Sequence, residues 1–410
     1  MRRTLVAVMA MVVITPVALA GCGKDKSGQP SSWVGSPSAS ASADSPRTES
    51  ATVPLSLAIT PAAGKTSVPV SAEIGLKVAG AKVTTVTLKD AAGTAVADSL
   101  REDGSAWVPS KPLKTKQKYA ASVVATAADG QTKTVATTFT TMGAPGRKTG
   151  TGLYLFDDRT YGVAMPVVVE FSPGIKKADR AAVQRRLFVT TTPAQPGVWS
   201  WTDSGTQAFY RGPEFWQSGT TLKVRMAVGG LPTGSGRYGD RDRSATAKIG
   251  RRFEMEVDNA TKKMTVVQDG TTVKTMPVSL GKKSTPSSSG VMVVMEKKAE
   301  TVFDTTAELG PVDGYRTEIE FAQRLTWSGQ YIHSAPWSVG SQGRRNVSHG
   351  CVNVAPNNAR WLFDRTLIGD PVTVKGTGDK LAYGNGWTPW DKTWAEYIKG
   401  SALPVPASLK

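Results

Sequence analysis

The chain has 410 residues, of which 40% are hydrophobic and 20% charged, and its formal net charge is +17. These values are ordinary for globular protein, and the length excludes a single ordinary hydrophobic core, so that roughly two to four domains are predicted. The 41 glycines and 25 prolines favour β-structure and turns.

The first 21 residues are predicted to be a lipoprotein signal peptide. Arg2 and Arg3 form a positive start, and an apolar run follows from Leu5 to Leu19. The closing Leu19-Ala20-Gly21-Cys22 resembles a bacterial lipobox, which implies cleavage before Cys22 and lipid on its thiol. We therefore expect an exported protein anchored to the outer face of the cytoplasmic membrane and acting in the cell wall. A plain signal peptide and an uncleaved anchor are the alternatives.

Two segments follow the signal. Residues 22–50 are rich in Ser, Ala, Pro and Gly and predict a disordered tether, because they carry too little apolar surface to offset ordering. Residues 51–142 read as short alternating strands, such as 72–78 and 82–88, with turn signals between them. This pattern, without a helical period, predicts a small β-sandwich.

A second sandwich is predicted for residues 143–249, with a strand at Val167 to Phe171 and a short helix within 177–187. Its aromatic residues have two interpretations, a saccharide-stacking surface or a core with an interdomain contact, and the second is favoured. These residues are Trp199, Trp201, Phe209, Tyr210, Phe215 and Trp216.

Residues 250–375 are predicted to form a β-rich domain. Asp269-Gly270 lies between two alternating segments and predicts a tight hairpin. A helix is predicted from Pro356 to Thr366, because Pro suits a first turn, and a closing strand at 371–374. The tail, 376–410, carries a stripe of Trp and Tyr residues that is predicted to pack on this domain.

Both histidines and one of the two cysteines fall between His333 and Cys351. If Cys22 carries lipid, Cys351 is the single thiol of the mature chain and has no partner for an intramolecular disulfide. A lone cysteine is commonly a buried small hydrophobe, but one flanked by His and Gly is more typical of a nucleophile.

A cysteine nucleophile needs a base and donors for the oxyanion. His349 and His333 are both candidates for the base, and Gly350 allows a tight turn that directs its own N–H and that of Cys351 toward one point. No acidic residue lies between His333 and Cys351. A backbone carbonyl or Ser334 would therefore have to orient the imidazole.

His333 followed by Ser348-His349-Gly350-Cys351-Val352-Asn353 resembles the signature of the L,D-transpeptidases with a YkuD-type catalytic domain. The wider match, at 314–317, 328–329 and 333–340, is similar to the mycobacterial and actinobacterial lipoprotein type. The resemblance implies a mostly β fold. Two immunoglobulin-like β-sandwiches would precede the YkuD-type β-rich domain, which has a short helix and a Trp-rich C-terminal tail.

The resemblance also implies roles. Cys351 would take the acyl group, His333 would be the base with Ser334 orienting it, His349 would support the thiolate, and Gly350 would help to line the oxyanion hole. Tyr315 would lie on a lid, and the donor peptide would contact Ser328, Gly329 and Asn353.

The implied donor is a tetrapeptide stem of peptidoglycan, from which attack at the diaminopimelate carbonyl expels D-Ala. A second stem's side-chain amine then joins the two diaminopimelate residues. Carbapenems acylate the same cysteine in relatives. We expect no cofactor and no bound metal.

Other hypotheses stay open. A non-catalytic wall-binding lipoprotein would use Cys351 structurally. A zinc site of His333, His349 and Cys351 would lack a fourth ligand at a usual spacing. A sortase-like enzyme would need a Thr-Leu-x-Thr-Cys strand, which does not occur, and an L,D-carboxypeptidase or endopeptidase would differ only in the acceptor.

The charge indicates partners as well. Most of the positive excess lies outside 251–375 and predicts attraction to anionic wall polymers and lipid head groups. Nucleic acid, a usual partner of so basic a chain, is disfavoured by the export signal.

Overall fold

The computed structural model describes residues 53–304, 306, 310 and 316–410. The predicted signal peptide, Cys22, the tether and Tyr315 lie outside the described residues. Within the described ranges, no helix is both long enough and apolar enough to cross a membrane.

The first sandwich consists of two four-stranded sheets, with strand orders β1-β3-β6-β5 and β2-β8-β7-β4. Alternation is clearest in β7, where Tyr119, Ala121, Val123 and Ala125 point into the core and their neighbours are less buried. The strands are β1 Ser56–Thr60, β2 Lys65–Val68, β3 Ile74–Ala79, β4 Lys82–Asp90, β5 Asp98–Leu100, β6 Ala106–Pro109, β7 Lys118–Thr126 and β8 Thr132–Thr141.

The second sandwich pairs a four-stranded sheet, β10-β18-β15-β12, with a six-stranded one, β13-β14-β11-β9-β17-β16. Its elements are β9 Arg147–Leu153, β10 Thr160–Tyr161, β11 Val167–Ser172, α1 Arg180–Gln184, β12 Leu187–Thr192, β13 Val198–Trp201, β14 Gln207–Arg211, β15 Thr221–Met226, β16 Pro232–Gly234, β17 Arg237–Gly239 and β18 Arg243–Ile249. The favoured interpretation of the aromatic residues is confirmed: Trp199, Trp201, Phe209 and Trp216 are buried, while Tyr210 and Phe215 pack against them.

The third domain is built on a ten-stranded sheet with the order β23-β24-β25-β26-β21-β20-β19-β27-β22-β28. Its elements are β19 Phe253–Asp258, β20 Lys263–Gln268, β21 Thr271–Ser279, β22 Ser288–Val293, β23 Glu296–Asp304, β24 Arg316–Arg324, β25 Tyr331–Ser334, β26 Val352–Val354, α2 Pro356–Arg365, β27 Pro371–Lys375 and β28 Asp379–Lys380. The mostly β fold is thus as predicted.

Local chemistry explains two of these elements. The predicted hairpin forms between β20 and β21, where Gln268 pairs with Thr271 and both Asp269 and Gly270 have positive φ, 49° and 82°. Helix α2 begins at Pro356 and buries Ala359 and Leu362 in the domain core. This core holds β25 and β26, the strands that carry the site, through Ile332 and Val352.

The tail differs in part from its prediction. Helix α3, Trp394–Tyr397, packs on the second sandwich, where the Tyr397 hydroxyl donates to the carbonyl oxygen of Phe209 at 2.6 Å. Trp390 donates through its indole N–H to the Ala164 carbonyl at 2.6 Å. The tail also contacts the third domain. The Asn385 amide donates to the Ser328 hydroxyl, and the Asp391 carboxylate accepts from the backbone N–H of Val291. The sandwich offers a broad apolar aromatic face, which is the partner that a stripe of rings needs.

Candidate active site

His333 and Cys351 are brought together by two neighbouring parallel strands. Strand β25 pairs with β26 so that His333 lies opposite Asn353. Cys351 lies in the bend directly before β26, and its thiol accepts a hydrogen bond from the backbone N–H of Tyr331, two residues before His333 in β25. The long sequence gap between histidine and cysteine is thereby closed across adjacent strands.

The imidazole of His333 is held by the backbone. Its Nδ1 atom lies 2.8 Å from the carbonyl oxygen of Ser334. Because a carbonyl oxygen only accepts, Nδ1 carries the hydrogen and Nε2 is left as the basic nitrogen. Burial lowers the pKa of His333, opposed by the Ser334 carbonyl and the Asn353 side chain. The resting imidazole is therefore neutral and able to accept a proton.

Two aromatic rings flank the imidazole. The ring centroids of Phe303 and Trp337 each lie 5.9 Å from that of His333. Phe303 also meets Tyr331 edge-on, with centroids 4.8 Å apart. These rings cover part of the imidazole, which is buried.

The Cys351 side chain is 8% exposed. Its Sγ atom lies 3.7 Å from the carbonyl oxygen of Gly329, which accepts the thiol hydrogen. Burial raises the pKa of the Cys351 thiol to about 12, partly offset by the backbone N–H of Tyr331. The resting pair is thus a neutral thiol beside a neutral imidazole.

The turn before the cysteine is fixed by hydroxyl groups. The Ser348 hydroxyl donates to the Cys351 carbonyl at 2.6 Å and accepts the Gly350 N–H at 3.2 Å. Gly350 has φ +123°, which favours glycine, and its carbonyl accepts from the Ser287 hydroxyl at 2.7 Å. The Gly350 N–H, expected to line an oxyanion hole, therefore has Ser348 as its partner, because a serine two residues earlier closes a local turn.

His349 is turned toward a cation. Its Nε2 atom lies 2.9 Å from Nζ of Lys282, and since an ammonium only donates, Nε2 is the acceptor. Sequence reasoning missed both Lys282 and Ser287. Neither lies in the motif region, and nothing in their local pattern signals these contacts.

The residues expected to contact a donor peptide occupy two environments. The amide nitrogen of buried Asn353 donates to the Ser338 hydroxyl at 3.1 Å, so this side chain holds the loop between β25 and β26. Ser328 is exposed, and its backbone N–H donates to the Asn385 side chain at 2.9 Å. Gly329, with φ +89°, supplies the carbonyl beside the thiol.

A cavity of about 610 Å³ lies beside the base. It is lined by Glu300, Thr301, Val302, Glu318, Ile319, Glu320, Ser334, Pro336 and Trp337. Among the described residues, no group of three or more His, Cys, Asp or Glu side chains is arranged to hold a metal ion.

Comparison with known proteins identifies relatives of the whole arrangement. A bacterial Ig domain family matches residues 65–232, and the family described as the L,D-transpeptidase catalytic domain matches residues 252–374. L,D-transpeptidase 2 of Mycobacterium tuberculosis is 33% identical over 343 residues, covering 83% of this chain and 83% of the relative. L,D-transpeptidase 5 of the same species is 34% identical over 349 residues, covering 83% and 74%.

Solved structures are similar over a shorter span. The structure of an L,D-transpeptidase in complex with imipenem is 33% identical and covers 56% of this chain and 100% of that one, with a TM-score of 0.47. An L,D-transpeptidase from Mycobacterium smegmatis is 32% identical and covers 56% and 99%, with a TM-score of 0.43.

Proposed function

The chain belongs to the L,D-transpeptidase family, and from this premise we propose that it cross-links peptidoglycan stems through an acyl-enzyme on Cys351. The observation that carries the proposal is the parallel pairing of β25, which contains His333, with β26, directly before which Cys351 lies. A thiol and an oriented, neutral imidazole side by side are the parts that nucleophilic acyl transfer needs.

The first half-reaction acylates the enzyme. The thiol proton of Cys351 passes to Nε2 of His333 while sulfur attacks the carbonyl that joins diaminopimelate to the terminal D-Ala. A carbon–sulfur bond forms, the carbon–nitrogen bond breaks, and the imidazolium returns the proton to the leaving amine of D-Ala. The enzyme keeps the tripeptide as a thioester.

The second half-reaction transfers the tripeptide from the enzyme to an acceptor stem. The side-chain amine of a diaminopimelate residue on another stem attacks the thioester carbonyl. Its proton passes to His333, the carbon–sulfur bond breaks, and the thiolate is reprotonated by the imidazolium. The product joins two diaminopimelate residues, and the enzyme returns to its resting state.

Proton transfer in this scheme is coupled to substrate binding. The pKa of the thiol is raised and that of the imidazole is lowered, so the ion pair is disfavoured until a substrate carbonyl is in place. The Tyr331 N–H favours charge on sulfur. Proton transfer from Cys351 to His333 therefore takes place only when substrate is bound.

The proposed location is the outer face of the cytoplasmic membrane. It is supported by the lipobox-like Leu19-Ala20-Gly21-Cys22, which would place a lipid on Cys22. The net charge of +17 supports attraction to anionic wall polymers. Globomycin-sensitive processing and a lipid mass on the mature N-terminus would test the anchor.

The central experiment is intact-mass spectrometry after incubation with a disaccharide-tetrapeptide. We expect an adduct of the donor minus D-Ala on Cys351 and stoichiometric D-Ala in solution. A carbapenem should add its whole mass at the same residue, because ring opening has no leaving group. The Cys351→Ala variant, checked for folding by near-UV circular dichroism, should acquire neither mass. Persistent cross-linking by that variant would overturn the proposal.

Product analysis separates the related activities. Cross-linked dimers indicate transpeptidation, whereas free disaccharide-tripeptide indicates that water discharges the enzyme and that the chain acts as an L,D-carboxypeptidase. Both routes share the same adduct, so the acceptor alone distinguishes them.

A further inference from the structure

A buried polar network lies beside the base, in the segment that connects β25 to β26. Ser338, in the short turn that follows β25, Gln342, in the next loop, and Asn353, on β26, are all buried. Burial of polar side chains costs free energy unless they are hydrogen-bonded, so three such groups together call for a physical reason. The sequence motif indicates only Asn353, as a contact for the donor peptide.

The Ser338 hydroxyl sets the direction of the hydrogen bonds in this network. Its oxygen lies 3.1 Å from the carbonyl oxygen of Ala335, 3.1 Å from Nδ2 of Asn353 and 3.2 Å from Nε2 of Gln342. Because a carbonyl only accepts, the single hydroxyl hydrogen goes to Ala335, and the oxygen accepts from both carboxamides. Asn353 therefore turns its NH₂ group toward Ser338 and its carbonyl oxygen, Oδ1, away from it.

The Oδ1 atom of Asn353 is directed at the base. His333 lies opposite Asn353 in the parallel pair of β25 and β26, so the two side chains project on the same face of the sheet. The Asn353 side chain acts to raise the pKa of His333, against the larger effect of burial. A carboxamide nitrogen donates and would oppose a positive ring, so the group responsible is the oxygen. Within the described ranges, this buried oxygen has no other partner.

The chemistry of the base requires such an acceptor. In the proposed half-reactions His333 takes a proton and becomes an imidazolium while it is buried, and a buried charge is costly without compensation. Among the described residues, no carboxylate is one of the groups that set the pKa of His333. The Ser334 carbonyl is one compensating dipole. The carboxamide of Asn353 is the second.

We propose that Ser338 and Gln342 are positioning residues that hold the Asn353 carboxamide with Oδ1 toward His333, where this oxygen stabilises the imidazolium that forms when Cys351 loses its proton. The inference rests on the proposed function and assigns Asn353 to the base. The three side chains exchange no atom with the substrate. The proton still moves from sulfur to the imidazole and from there to the leaving amine.

Titration of the imidazole tests the inference directly. The chain has two histidines, so ¹⁵N NMR of histidine-labelled protein gives two ring systems, which a His349→Gln variant assigns. In the Cys351→Ala background, Asn353→Leu should lower the pKa of His333 by about 1, and Asn353→Asp should raise it by at least about 1. These opposite shifts cannot come from loss of stability, and an unchanged pKa in both variants would overturn the inference.

The positioning role is tested with Ser338→Ala and Gln342→Leu in the chain that keeps Cys351. A pKa lowered by about 1 corresponds to a ten-fold weaker stabilisation of the imidazolium, so carbapenem acylation should be about ten-fold slower in each. The pKa of His333, measured by NMR, should fall in parallel. Slower acylation with an unchanged pKa would mean that these side chains only support the fold, and would overturn the proposed role.

Gln323→Leu is the matched control. Gln323 is a buried carboxamide of the same sheet, but its Oε1 atom accepts from the Thr366 hydroxyl at 2.6 Å, at the end of α2. Its replacement should lower stability and leave both the His333 titration and acylation at the wild-type values. A pKa of His333 lowered equally in this control would contradict the inference.

The titration also separates the inference from the proposed function, because it needs no substrate. If the wild-type protein forms no adduct with a stem peptide and His333 still responds to Asn353→Asp, the network is supported and the proposed function is not. If the adduct forms and His333 does not respond to either Asn353 variant, the proposed function stands and the network is ruled out.

Discussion

The Nδ1 atom of His333 lies 2.8 Å from the backbone carbonyl oxygen of Ser334, its immediate neighbour in the chain. The base is thus oriented by the main chain and not by a carboxylate. This relationship makes the orientation independent of the Ser334 side chain.

Ser334→Ala should therefore leave acylation nearly intact. Because the carbonyl remains, we expect the carbapenem acylation rate to stay within about three-fold of wild type, in contrast to the roughly 10⁴-fold loss when an orienting aspartate is replaced in a serine protease. Stopped-flow kinetics with a carbapenem measures this acylation rate. A loss above 100-fold would mean that the hydroxyl, and not the carbonyl, sets the orientation.

The pH dependence follows from the lowered pKa of His333. The ordinary pKa of a histidine side chain is 6.5, and because that of His333 is lower, the imidazole stays neutral below this pH. We therefore expect kcat/KM for acylation to be constant above pH 6.5 and to fall on the acid side with a midpoint below pH 6.5. The unfolded chain binds this proton more readily, so the free energy of unfolding should also fall as pH drops through 6.5. A midpoint above 6.5 would contradict the buried neutral imidazole.

The Cys351 thiol should resist simple alkylation. With its pKa raised to about 12, little thiolate exists at neutral pH. Iodoacetamide at pH 7 should modify the folded protein at least about 100-fold more slowly than the same chain in denaturant, and the rate should keep rising to pH 10. A plateau near pH 7 would indicate a preformed ion pair with His333.

Gly350→Ala should lower acylation by at least about 100-fold. The new Cβ would meet only ordinary contact, 3.6 Å from Gln330 Cγ, so the effect arises from φ +123°, which alanine rarely adopts and which costs about 1–3 kcal/mol. Relaxation of this strain would displace Cys351. Gly146→Ala, at a glycine with open space around it, is the matched control and should acylate at the wild-type rate.

The tail should contribute measurably to stability through one hydroxyl. The single hydroxyl hydrogen of Tyr397 is shared between the carbonyl oxygens of Phe209, at 2.6 Å, and Val198, at 3.0 Å. Tyr397→Phe leaves both without that partner and should lower the free energy of unfolding by about 1–3 kcal/mol. Calorimetry checks this, with Tyr238→Phe, at a half-buried position, as a control expected to change little.

The sequence was most informative where local pattern decides structure. Asp269-Gly270 specifies its hairpin through backbone preference alone, and α2 begins where Pro356 predicts. His333 and Cys351 were recognisable because histidine and cysteine are scarce in this chain and cluster within one segment.

Contacts between distant segments could not be read in this way. Ser287 and Lys282 lie 63 and 67 residues from the groups that they contact. The periodicity of a short segment does not indicate which distant segments it will pack against. The tail differed from its prediction for a related reason, since an aromatic stripe specifies an apolar partner without specifying which domain supplies it.

The hydrophobic core of the second sandwich extends beyond that domain. Val293 and Met295 of the third domain, and Trp387 and Tyr397 of the tail, belong to the same buried cluster, whereas the first sandwich has a separate core. The second sandwich, the third domain and the tail are therefore not freely exchangeable modules. Joining the third domain to a foreign second domain would expose the apolar side chains of this shared cluster, so the second sandwich, the third domain and the tail form one unit from about residue 143 onward. The first sandwich is attached to this unit by polar contacts such as the Glu73–Arg186 ion pair.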